Sequence, residues 1–113
     1  MSERTENERK DIRKDFREAV NMSPSELEDW LDTEESKSVG DSEDGESTGH
    51  KSGRRIVEIK RKTVDELTED DHDWMKKVVG YVNRHLAQGG PDEDVEHSRW
   101  RYSLMNWGHD PLI

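Results

Sequence analysis

The sequence predicts an all-α protein, a small bundle of four to five short helices with a Gly/Ser-rich loop between the second and the third. Three observations lead there. Apolar residues recur at i, i+3 and i+4, the spacing of one helix face; Leu27, Trp30 and Leu31 are an example. Two stretches carry the chemistry of a helix start. Leu, Ile, Val and Phe are only 19 of 113 residues, a proportion that with high net charge signals disorder. The four Trp argue against disorder throughout the chain.

One domain is expected over residues 1–113. Residues 1–10 are expected to fray, and two N-terminal helices to fill 11–36. The first is a charged helix with the stripe Ile12, Phe16, Ala19 and Val20. Ser23-Pro24-Ser25-Glu26 opens the second, with Ser23 as N-cap, Pro24 in the first helical position and Glu26 closing a capping box. Its pattern is lost near Glu35. Residues 40–53 hold four glycines and four Ser/Thr and read as a flexible loop. Ser52 or Gly53 then opens a helix over 54–62, buried through Ile56, Val57 and Ile59; these β-branched residues keep a short strand as the alternative. Thr68 to Asp71 is a further helix start. Behind it runs the stripe Trp74, Val78, Tyr81, Val82, His85 and Leu86, ended by Gly89-Gly90-Pro91. Trp100, Leu104 and Trp107 mark the last helix, stopped at Gly108, with His109 as a cap. The four Trp are expected in the core, where each large ring buries about 150–250 Å².

The net charge of −10 is unevenly spread: residues 1–50 carry −9 and residues 51–113 carry −1. Within the second part, Lys51 to Lys62 holds six basic residues and one acid, followed by six acids and no Lys or Arg from Thr63 to Asp73. High acidity, few large aliphatics and no cysteine fit a protein of a salt-rich cytoplasm, as in a halophilic archaeon. There the Debye length falls to about 3 Å and surface carboxylates no longer repel strongly. No disulfide is possible. No apolar run reaches the roughly 20 residues of a membrane span, and the N-terminus lacks the apolar region of a secretory signal. A cytoplasmic location is expected.

Several strings imitate catalytic motifs. Gly45-Glu46-Ser47-Thr48-Gly49 matches G-x-S-x-G, but a nucleophile elbow needs a buried strand before it, and Asp41-Ser42-Glu43-Asp44 is none. The P-loop pattern fails because His50 stands before Lys51. A calcium loop aligned on Gly45 would place Gly40 and Lys51 at ligand positions. Five scattered histidines show no metal-binding spacing. The expectation is a non-enzyme with no metal, no cofactor and no small-molecule substrate.

The strings SKSVG (36–40), GESTGHKSGRRIVEI (45–59), KVVGYVNRHLAQ (77–88) and SRWRYSLMNWGHDPL (98–112) resemble a prokaryotic family catalogued as domain of unknown function 3140. The resemblance covers about residues 12–113, with the acidity of a haloarchaeal-type member. It implies a DNA-associated role, since some relatives are labelled DNA-binding proteins, and implies no site residues.

Two function classes follow. In the first, the chain is a DNA-associated binding module whose basic helix contacts phosphates through Lys51, Arg54, Arg55 and Arg61, with Ser52 and the Gly53 backbone as neutral donors. Competing with it is a purely structural role, in which the basic block pairs with Asp65–Asp73 and Asp41–Glu46. In the second class the chain is a protein-interaction or regulatory module, a homodimer burying part of the Trp100–Trp107 face.

Overall fold

The computed structural model describes residues 4–39 and 48–113. Among these residues there are six α-helices: α1 (Glu6–Ala19), α2 (Pro24–Leu31), α3 (Glu34–Ser38), α4 (Thr48–Lys60), α5 (Glu69–Gln88) and α6 (Arg99–Asn106). Two 3₁₀ turns, Val64–Glu66 and Val95–His97, precede α5 and α6. The all-α class holds, and residues 54–60 are helix, not strand.

Local chemistry sets most boundaries. Ser23 accepts from the Glu26 amide, and the Glu26 carboxylate accepts from the Ser23 amide. Thr68 and Asp71 do the same for α5. The fraying expected over residues 1–10 is corrected from Thr5 on, since Thr5 and Glu8 form a third such box and α1 starts at Glu6; residues 1–3 lie outside the described residues. Arg4 and Arg9 then tie this end to Glu69 and Asp73 of α5. The segment after α2 breaks at Asp32-Thr33, because the Thr33 hydroxyl caps a separate short helix.

The expected loop at 40–53 is corrected over its last part, 48–53. Residues 40–47, with most of the G-x-S-x-G and calcium-like strings, lie outside the described residues. From Thr48 the chain is already helical. Its glycine at 53 has a packing cause, since an added Cβ would stand 2.6 Å from the Asn106 carbonyl oxygen and 2.7 Å from Leu31 Cδ2.

α1 packs against α5, α2 against α4, and α6 against α2, α3, α4 and α5. One core joins them, built on Phe16, Val20, Leu27, Ile56, Val78 and Leu104 among others. Trp107 is buried at its centre, stacked on Tyr81 with ring centroids 4.1 Å apart. The other three Trp are half-buried around the rim of the core, and each indole N–H has an acceptor. Trp30 donates to Asn106 Oδ1 (2.7 Å), Trp74 to Ser52 Oγ (3.2 Å) and Trp100 to the His85 carbonyl (2.9 Å). On the Trp100–Trp107 face, Leu104 and Trp107 are buried within the chain and Trp100 is half-buried.

The C-terminal corner is a lock. Gly108 (φ +83°) ends α6: its N–H reaches the Met105 carbonyl and the His109 N–H the Leu104 carbonyl, the paired bonds of a Schellman motif. His109 caps α1 instead of α6, its Nδ1 donating to the Ala19 carbonyl at 2.7 Å. Asp110 is clamped by Arg101 through both oxygens (3.1 and 3.0 Å). Among the described residues, no helix is long and apolar enough to cross a membrane.

Candidate nucleic-acid interface

The six cations of Lys51–Lys62 part company once the helix is folded. α4 turns Ser52, Gly53, Ile56, Val57 and Ile59 inward. Lys60 runs inward too, and its Nζ donates to the Val20 and Met22 carbonyls at 3.3 and 3.0 Å. Burial lowers its pKa. Arg61 reaches α2 and pairs with Glu28 (3.0 Å), both side chains being about half exposed. It lines a second groove, between α2 and α4, with Glu28, Asp32, His50 and Arg54. Arg55 and Lys62 converge on Asp71, at 2.9 and 2.8 Å.

Asp71 is the electrostatic hub. Its carboxylate is fully buried and also accepts from the Thr68 amide. Burial alone would push its pKa up. Hydrogen bonds from Lys62, the Thr68 amide and Arg55 outweigh that and hold it well below the usual carboxylate range.

On the outer side of α4, Lys51, Arg54 and Arg55 come together with Glu58 and Trp74 around a groove of about 360 Å³. Trp74 brings in α5. Arg55 Cζ lies 5.7 Å and Lys77 Nζ 4.8 Å from its ring centroid, within the range of cation–π attraction. Three of the expected site residues, Lys51, Arg54 and Arg55, therefore share one face.

Three others do not. Ser52 is buried and its oxygen is taken by Trp74. Gly53 packs against Leu31 and Asn106, and its amide lies beyond the first turn, where N–H groups bond within the helix. Neither can donate to a ligand outside. Arg61 faces the other groove. Trp74 and Lys77 are the additions; their i, i+3 spacing on α5 was the available signal. Among the described residues, no cluster of three or more His, Asp or Glu is arranged to hold a metal ion.

A family model described as "Protein of unknown function (DUF3140)" matches residues 15–105. The chain belongs to this family. The DUF3140 match runs from α1 into α6 and takes in every groove residue; the Thr5 cap and the Gly108–Asp110 corner lie outside it. No curated protein and no solved structure matches the chain.

Proposed function

We propose that this chain is a DNA-associated binding module that works in a salt-rich cytoplasm and meets phosphates through Lys51, Arg54 and Arg55. The carrying observation is the groove on the outer side of α4, where three cations stand together beside Trp74. The net charge of −10 does not oppose a local contact of this kind. Most of the acidity belongs to residues 1–50, and in molar salt charges farther than about 3 Å are screened from one another. Counterion release weakens at high salt, so a binder there gains more from hydrogen bonds by held guanidinium groups; Asp71 holds Arg55 in this way. The reading gives no residue a catalytic role and calls for no cofactor.

The test is fluorescence anisotropy of a labelled DNA duplex across a salt series. Wild type is compared with Lys51→Ala/Arg54→Ala, which spares the structural partners of Asp71. Affinity should fall at least tenfold with helicity unchanged. Equal binding by the double variant would remove the site. Sedimentation of the same samples separates this reading from a self-associating interaction module, in which a concentration-dependent dimer would form without DNA. Circular dichroism completes the test: a salt-adapted chain should gain helicity from low salt to molar KCl.

A further inference from the structure

We infer that the groove takes the phosphate backbone of a polyanion without reading its bases, and that Lys77 is a binding residue of the same face. The inference rests on the binding reading above. It begins with the position of α4, which packs against α2, α5 and α6 and sends Ser52, Gly53, Ile56 and Val57 into the core. Lys51, Arg54 and Arg55 therefore stand on its one open side, with α5 alongside. A helix that reads bases enters a major groove about 12 Å wide. Trp74 and Lys77 of α5 stand beside the open side of α4 and obstruct that entry.

Stacking on an aromatic ring is the other common route to a base. Trp74 is badly placed for it. Its ring already carries Lys77 Nζ at 4.8 Å and Arg55 Cζ at 5.7 Å, and its N–H is used by Ser52. A stacking base would have to displace a cation. The Arg55 cation is further held by the buried Asp71. No Asn or Gln, the partners of adenine edges, lines the groove, and its Arg and Lys side chains, the partners of guanine edges, would have to enter the major groove to reach one.

What remains is a rim of cations from two helices, held by an indole and a buried carboxylate. Such a rim positions phosphates and carries no sequence information. Lys77 belongs to it because it shares the Trp74 ring with Arg55. Glu58 on the same rim keeps the contact to a few phosphates.

The experiment uses the full chain and anisotropy across a salt series confined to concentrations at which circular dichroism shows wild type and variants equally and fully helical. The probes are two labelled duplexes of equal length and unrelated sequence, and a labelled single strand; inorganic polyphosphate serves as competitor. The variants are Lys77→Gln, Trp74→Leu, which removes the stacking ring, and, as a charge-matched control on the exposed side of α1, Lys14→Gln. The two duplexes should bind within about threefold of each other, and polyphosphate should displace both. Lys77→Gln should make the slope of log K against log salt shallower by about 0.9, the share of one phosphate contact, and Lys14→Gln should leave it unchanged. A tenfold preference for one duplex, or failure of polyphosphate to compete, overturns the inference. So does an unchanged slope for Lys77→Gln, or a preference for the single strand that Trp74→Leu abolishes. If no probe binds wild type at the lowest of these salt concentrations, the binding reading itself fails.

Discussion

Replacing Asp71 by Asn tests the electrostatic hub with almost no change of shape. The carboxylate is fully buried, whereas Arg55 and Lys62 are 35% and 34% exposed. Asn keeps an acceptor for the Thr68 amide, the reach-back bond of the capping box. It loses the charge that holds two cations. Removing one partner of a fully buried pair costs about 3–5 kcal/mol. Here both cations reach water, and solvent screening reduces the figure to about 1.5–3 kcal/mol.

For a chain of this size, that loss lowers Tm by roughly 6–12 °C. Thermal and urea denaturation followed by far-UV circular dichroism measure it. Its pH dependence has a fixed sign. The folded pKa of Asp71 is depressed, so its contribution is complete above the unfolded value of about 3.9. It is lost as the pH falls below that toward the folded value. The gap between wild type and variant should be constant above about pH 5 and should narrow toward pH 2. A cost under about 0.5 kcal/mol, or one that is the same at pH 7 and pH 2.5, would show that the hub does not act through its charge.

Three further outcomes are expected. Gly53→Ala gains about 1 kcal/mol of helix propensity but drives a Cβ to 2.6 Å from a backbone oxygen; a net loss of about 1–3 kcal/mol in urea titration is expected, and a neutral or stabilising result would mean that α2 and α6 do not pack there. Asn106→Ala leaves the Trp30 N–H (2.7 Å) and the buried Ser36 hydroxyl (2.5 Å) without their shared acceptor; it should cost about 2–4 kcal/mol and change the near-UV spectrum of Trp30, and an unchanged spectrum would argue against the network. His85 stacks on Tyr81, and its Nε2 is buried with no hydrogen-bond partner. Burial holds its pKa below the ordinary value, so its contribution is present above about pH 6.5 and fades as the pH falls. Wild type should therefore lose stability relative to His85→Phe between pH 7.5 and 5, and a difference independent of pH would refute this.

The elements that were legible are those set by neighbours in sequence. Ser23-Pro24 and Thr68 need only three following residues to cap a helix, and Gly108 only a left-handed backbone. The Thr5–Glu8 box is equally local, yet a cap does not order a charged terminus; that takes Arg4 and Arg9 reaching Glu69, 65 and 60 residues away. The glycines and serines before Arg54 read as a loop because propensity disfavours helix there. Tertiary packing overrides it, with Gly53 shaped by Leu31 and Asn106, and Ser52 by Trp74.

The basic block shows the same division in functional terms. Its charge is visible in the sequence. Which of its cations face outward is decided by Glu28, by Asp71 and by two carbonyls at the end of α1, none of which the block itself contains. Its six cations are sorted by periodicity as well as by charge. Lys51, Arg54 and Arg55 fall at i, i+3 and i+4 on one side of α4, whereas Lys60, Arg61 and Lys62 sit at its C-terminal end, where acids and carbonyls of other elements collect them. A charge run thus becomes a candidate site only where the helix gathers its cations on one outward face, and on α4 that holds for Lys51, Arg54 and Arg55 in the first two turns.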